Sequence, residues 1–211
     1  MSRPVLFVLA GTNGAGKSSI GGHVLEQAGM TWFNPDAYAR ELKRDHGYSQ
    51  TEANGAAWTE GMRRLDKAIA NSESFAFETT LGGNTVPGKI ADAAATHDVL
   101  VWFCGLSSPE LHIQRVATRV SNGGHEIDEG KIRERYPASL INLIALMPIV
   151  SKLQVYDNSL EVAAGMDIPE PVLLLELTDR RMTHPVQSAE LAFTPDWAKP
   201  LLEAALFLQQ A

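Results

Sequence analysis

The nine residues GTNGAGKSS, Gly11 to Ser19, constrain this chain more than any other stretch. They match G-x-x-x-x-G-K-[ST], directly after the apolar run PVLFVLA, Pro4 to Ala10, and before a segment with helical spacing. In that setting a glycine-rich loop wraps an anion with its backbone N–H groups, and the helix that follows adds its positive N-terminal end. Gly11, Thr12, Asn13, Gly14, Ala15, Gly16, Lys17, Ser18 and Ser19 are therefore the expected ATP-binding residues. Lys17 would reach the terminal phosphates and serve catalysis, and Ser18 would hold Mg²⁺. No guanine-specific motif accompanies the loop, so ATP is the expected nucleotide.

PVLFVLA has no polar alternation, as expected of a strand buried on both faces of a parallel sheet. Similar runs follow: MTWFN ending at Asn34, SFAFE at Glu78, DVLVWFCG at Gly105, KLQVYDN at Asn158 and PVLLLELT at Thr178. Helical spacing between most of them predicts an α/β fold with a parallel sheet and crossover helices. With 211 residues, 45% of them hydrophobic, and no repeat, low-complexity tract or linker, a single domain over residues 1–211 is expected. A net charge of -7 argues against a partner bound through general attraction to nucleic acid or anionic lipid. One cysteine, Cys104, cannot form an internal disulfide; with no leader-like or membrane-length apolar segment, the expected compartment is the cytoplasm.

Residues 107–136 are the least sheet-like. Ser108 and Pro109 read as a cap and a first-turn proline of a helix that runs to Val120 and stops at SNGG. Ile113, Val116 and Val120 would form its apolar stripe, with Arg115 and Arg119 together on a neighbouring face. IRERYPASLINLIALM then predicts a second helix, interrupted or displaced near Pro137. Thr194 and Pro195 read as one more helix start, with LLEAALFLQQ covering the sheet.

A phosphate loop does not by itself separate a kinase from a motor or a switch. DVLVWFCG ends without the aspartate that motors and switches use, and SNGGH keeps only the paired glycines of an LSGGQ-like signature. Ligands of open α/β sheets gather at the carboxyl ends of the strands, so Asp36, Glu78, Thr79 and Thr80 can converge on the loop. An isolated Asp36 after Pro35 would be a turn residue or helix cap; beside the phosphate loop it becomes the candidate general base for an attacking hydroxyl. Glu78, Thr79 and Thr80 would orient the acceptor together with Arg115. Arg115, Arg119, Arg133 and Arg135, around a glycine break in an acidic protein, suit a lid that neutralises the transferring phosphoryl group, with Arg119 and Arg135 the catalytic pair. His125 reads as a loop residue that shapes the lid, Cys104 as core, and the histidines show no metal-ligand spacing.

GTNGAGKSS, NPD, FAFETTL and RVATRVSNGGHEIDEGKIRERYPASLINL, in that order, resemble the zeta-toxin family of P-loop kinases, notably its short members called predicted ABC-type ATPases. The resemblance runs from about Val5 to Ser159. It implies a P-loop NTPase with a kinase-type parallel sheet flanked by helices and an arginine-bearing helical lid. It also implies transfer of the γ-phosphate of ATP, with Mg²⁺, to an acceptor hydroxyl; characterised zeta toxins phosphorylate the amino-sugar part of UDP-N-acetylglucosamine. On matching positions Lys17 and Ser18 would hold ATP and its metal, and Asp36 would be the general base. Glu78 and Thr80 would contact the acceptor, and Arg119 and Arg135 would stabilise the phosphoryl group. YDNS, Tyr156 to Ser159, resembles the family segment near the adenine, which makes Asn158 an expected ATP contact. The chain is short for the family, NPD carries proline where small residues are usual, and LGGN after Thr80 departs from serine-containing continuations. Two other readings stand beside a small-molecule kinase. One is a toxin component or nucleotide-dependent interaction module neutralised by a small antitoxin. The other is a polynucleotide or RNA end kinase, which the lack of a basic and aromatic surface pattern weakens.

Overall fold

A computed structural model describes residues 3–18, 21–22, 25, 32–161, 169–186 and 191–210. The first apolar run becomes β1, Val5–Ala10, in which Leu6, Val8, Leu9 and Ala10 are fully buried. β2 (Phe75–Thr79), β3 (Asp98–Gly105), β4 (Lys152–Asp157), β5 (Val172–Thr178) and β6 (Arg181–His184) complete a six-stranded sheet of order β2-β1-β3-β4-β5-β6. β2, β1, β3 and β4 are parallel, with crossovers through helices as the alternating pattern requires. The register pairs Leu9 with Glu78 and Ala10 with Thr79, which sets the end of β2 directly beside the phosphate loop.

Three features differ from the sequence expectation. MTWFN does not become a full strand among the described residues, which exclude Met30 and Thr31. Phe33 makes one parallel bridge to Phe77, taking a hydrogen bond from Glu78 N and donating one to Ala76 O. Asn34 and Pro35 then turn the chain into a helix, and proline has no N–H to extend the ladder. β5 runs antiparallel to β4, and β6 runs antiparallel to β5; Asp179 and Arg180, both at positive φ, join β5 to β6. So short a connection permits only an antiparallel return. Finally, the expected break at Pro137 is absent.

The helices are α1 (Pro35–His46), α2 (Gln50–Asn71), α3 (Thr85–Ala93), α4 (Pro109–Ser121), α5 (Glu129–Leu146) and α6 (Lys199–Leu208). α1 is capped by Asn34, whose side chain accepts from Ala37 N, and Gly47 closes it in the left-handed region. Ser49 and Glu52 form a reciprocal capping box for α2. Ser108 caps α4 as expected. α5 starts on Asp128 and passes through Pro137 without interruption. Burial of Ile132, Leu143 and Leu146 on either side of the proline holds the helix to the core and offsets the missing hydrogen bond. α6 follows a short 3₁₀ turn at Asp196–Ala198 and buries Leu201, Leu202 and Ala205 against the sheet. Trp197 packs so closely on Gly105 that a Cβ there would lie 2.2 Å from its ring. Among the described residues no helix is long and apolar enough to cross a membrane.

Candidate active site

The phosphate loop leaves β1 at Gly11, where φ is 136° and a Cβ would meet the Cys104 carbonyl oxygen at 2.1 Å. Gly14, at φ 85°, also approaches a carbonyl, that of His112, with 2.7 Å to a notional Cβ. Both sites therefore exclude side chains by conformation and by space. Lys17 and Ser18 are already helical; Ser19, the last expected member of the loop, lies outside the described residues.

Four side chains from behind tie the loop down. His112 on α4 donates from Nδ1 to Asn13 O at 2.7 Å, and Asn158, after β4, donates to Ala15 O at 2.9 Å. Arg135 on α5 donates to Asn13 Oδ1 at 2.8 Å, and Ser139 on the same helix lies 3.2 Å from Thr12 Oγ1. These bonds hold the Asn13 and Ala15 carbonyls on the protein side, the arrangement an anion-binding nest of N–H groups needs. The His112 tautomer follows, because a carbonyl can only accept. Burial pushes its imidazole down to about 4, so it sits there neutral. Asn158, expected near the adenine, thus meets the loop backbone, and Tyr156 packs beside Trp102 in the sheet.

Glu78 is the hub on the open side. Its Oε2 accepts from Ser18 Oγ at 2.8 Å and from Asn34 Nδ2 at 3.2 Å, and its Oε1 lies 3.4 Å from Lys17 Nζ. Lys17 is buried and also donates to Thr12 O. A hydroxyl and a carboxylate oxygen in contact at the foot of a phosphate loop are hard oxygen donors that suit Mg²⁺, which completes its shell with phosphate and water oxygens. Ser18 and Glu78 are the residues that fit that ion. Among the described residues no cluster of three or more His, Cys, Asp or Glu offers an all-protein metal site.

Asp36 occupies the first turn of α1, where exposed helix N–H groups favour negative charge, while Asn34 is the cap. Arg119 Nη1 stands 3.9 Å from Asp36 Oδ2, and His125 Nε2 stands 3.8 Å from Oδ1. Arg119 also donates to His125 O at 3.2 Å, and its buried Nε has no partner among the described residues. Burial lowers the pKa of His125 against the opposing pull of Asp36. Thr79 and Thr80 turn their hydroxyls back to accept from Leu81 N and Gly82 N; Leu81 is held at φ 57°.

The four arginines part company. Arg119 and Arg135 point to Asp36 and Asn13, whereas Arg115 donates to Leu160 O and Arg133 pairs with Glu110 on the exposed surface. The structure therefore does not bring Arg115 to Glu78, Thr79 and Thr80. Cys104 is buried and its thiol is pushed up to about 11, unsuited to nucleophilic work.

A cleft of about 570 Å³ joins Lys17, Asp36, Glu78, Thr79, Thr80 and Arg135. Its walls also carry His125 from the loop between α4 and α5 and Trp58 from α2. His112, Asn34, His125 and Trp58 escaped sequence reasoning as site residues. The signals present were the cap position of Asn34 and the paired glycines before His125; His112 and Trp58 carried none, since each sits in an ordinary helical pattern. A cation, a hydroxyl, a hub carboxylate and a second carboxylate flanked by a guanidinium, all in one cleft, can bind an anionic donor at one end and deprotonate a nucleophile at the other.

Comparison with known proteins bears on the family and the fold. A family model described as Zeta toxin matches residues 1–163. An uncharacterised protein of Haemophilus influenzae is 29% identical over 133 residues, 60% of this chain and 88% of that protein. Among solved structures, the complex of AvrRxo1-ORF1 with AvrRxo1-ORF2, determined with sulphate ions, superposes with a TM-score of 0.63 at 15% identity over 96% of this chain. This chain spans 64% of that structure's length. The PezAT toxin–antitoxin system of Streptococcus pneumoniae gives 0.57 at 14% identity, covering 100% of this chain and 87% of that one. A putative kinase of Chloroflexus aurantiacus gives 0.53 at 15% identity over 64% of this chain and 78% of its own. At these identities the structural matches show a shared fold.

Proposed function

Since this chain belongs to the zeta-toxin family, we propose that it is an ATP-dependent small-molecule kinase whose acceptor is a hydroxyl of a nucleotide sugar such as UDP-N-acetylglucosamine. The observation that carries this reading is the convergence of Lys17 and Glu78, which Ser18 contacts, with Asp36 on one cleft. The phosphate loop and Lys17 bind the triphosphate of ATP. Ser18 and Glu78 would hold Mg²⁺, which would supply positive charge against that of the phosphates. Asp36 accepts the proton of the acceptor hydroxyl as its oxygen attacks the γ-phosphorus and the bond to the ADP oxygen breaks. Arg119 and Arg135 supply positive charge to the transferring group. Glu78, Thr79 and Thr80 face the acceptor from the strand end. Glu126, Asp128 and Glu134 on the lid side of the cleft work against an extended polyanion, which favours a small acceptor over a nucleic-acid end.

Incubation with [γ-³²P]ATP, Mg²⁺ and UDP-N-acetylglucosamine, then a broad metabolite panel, tests the proposal. ADP formation that depends on acceptor, with a phosphate mass gain on that acceptor, is expected. If no compound gains phosphate while Lys17→Ala still removes ATP binding, the protein is a nucleotide-dependent switch instead. A small antitoxin partner is a second proposal, favoured by the likeness to structures described as a toxin–antitoxin system and as a two-protein complex. Co-purification of a small protein that blocks nucleotide turnover supports it; a neighbouring small protein that neither binds nor inhibits removes it.

A further inference from the structure

Trp58 is 54% exposed, yet it stands in the wall of the cleft that holds Lys17, Asp36 and Glu78. Its placement follows from the helical period of α2. Ala53 and Ala57 pack against Ala39 of α1, and at Gly61 a Cβ would come within 2.8 Å of the Phe33 ring. Trp58, one residue after Ala57, falls on the neighbouring face of the helix, which borders the cleft. Among the described residues Trp58 has no ring partner and no hydrogen bond to its indole nitrogen. Asn54, four residues before it, and Met62, four after it, line the same wall.

A large flat apolar surface beside a general base, with an amide at its edge, calls for a ligand with a flat face and polar rim. Ring stacking on an exposed aromatic side chain tolerates chemical variety, because nucleobases offer a π-face and pyranoses a face of C–H bonds. We propose that Trp58 is the stacking platform of the acceptor subsite. The acceptor carries a ring, either a base or a sugar, that lies on the indole while one of its hydroxyls faces Asp36. This specificity role rests on the kinase reading above, and an open-chain alcohol would not satisfy it.

Indole fluorescence tests the platform without requiring turnover. The full chain, loaded with Mg²⁺ and a non-hydrolysable ATP analogue, is titrated separately with UDP-N-acetylglucosamine, uridine, N-acetylglucosamine and glycerol. The same titrations with Trp58→Phe isolate the contribution of Trp58 from those of Trp32, Trp102 and Trp197. At least one ring compound should change the emission of the wild type, and that change should vanish in Trp58→Phe; glycerol should do nothing. Whether uridine or N-acetylglucosamine reproduces the effect tells base from sugar. Trp58→Ala should weaken the responding ring compound roughly ten- to a hundredfold, with Trp58→Phe recovering most of the loss. The proposal is overturned if no ring compound perturbs Trp58, or if the substrate found by the phosphorylation screen has the same KM with Trp58→Ala. Failure of the kinase reading looks different: a ring compound perturbs Trp58 but gains no phosphate.

Discussion

The two ends of the cleft are built to different tolerances. At the donor end the phosphate loop is tied by four side chains, from α4, α5 and the segment after β4, at 2.7–3.2 Å. At the acceptor end Asp36 meets Arg119 and His125 only at 3.9 and 3.8 Å, and Trp58 stands without a ring partner among the described residues. A triphosphate is the same in every kinase, so a fixed cradle suits it. An acceptor must bring its own shape, and under the proposed reaction closer contacts around Asp36 would form as it enters. The contrast also separates the two carboxylates: Glu78 is committed to Lys17, Ser18 and Asn34, whereas Asp36 has no short bond to a described partner other than through its helix.

The sharpest way to break the contrast is Lys17→Ala. It should abolish measurable ATP binding, and with it all turnover, in a calorimetric titration; retained binding would mean the cradle works without its cation. Asp36→Asn comes next. It should leave ATP affinity intact and lower kcat by roughly 10²–10⁴-fold, the range for a missing general base. Near-normal steady-state turnover would make Asp36 structural. Arg119→Ala should lower kcat by roughly 10²–10³-fold with little change in the KM for ATP, whereas Arg135→Ala should raise that KM as well, because it frees Asn13. Identical profiles for the two arginines would erase the distinction between the ends.

A smaller effect reads the donor end through pH. The His112 pKa is depressed from its ordinary 6.5 to about 4, so the folded state binds fewer protons than the unfolded chain. Stability from this site is complete above about pH 6.5 and is lost as pH falls toward 4, by about 3 kcal/mol in all. Denaturant melts across that window should flatten in His112→Gln relative to the wild type; parallel curves would place the acid sensitivity elsewhere. Smallest of all, Arg133→Ala should leave the midpoint of the same melts unchanged, since its pair with Glu110 is exposed.

Legibility in the sequence follows the same division. The phosphate loop, the strand ends carrying Glu78 and the cap at Ser108 are local signals, fixed by a few adjacent residues, and the structure places them as expected. The position of Asn158 was expected from resemblance at an adenine and is found on the loop backbone, a contact made across 143 residues of sequence. The apolar run at β5 could not show that this strand reverses direction, because a buried strand reads alike in either sense. Nor could a helical tryptophan announce that the face it shares with Asn54 and Met62 borders the cleft. The uninterrupted α5 illustrates packing overriding propensity: Pro137 should break an isolated helix, but Ile132 and Leu143 are buried on either side of it.

That proline has a mechanical consequence. Without an N–H at position 137, the carbonyl of Arg133 loses its usual partner one turn ahead, so α5 is most compliant just there. Leu143 and Leu146 bury the C-terminal half and Ile132 the N-terminal half, which also carries Arg135 toward the cleft. A bend at the proline would re-aim the guanidinium only by displacing Ile132 as well. The packing on both sides of the missing bond is therefore what keeps Arg135 on Asn13.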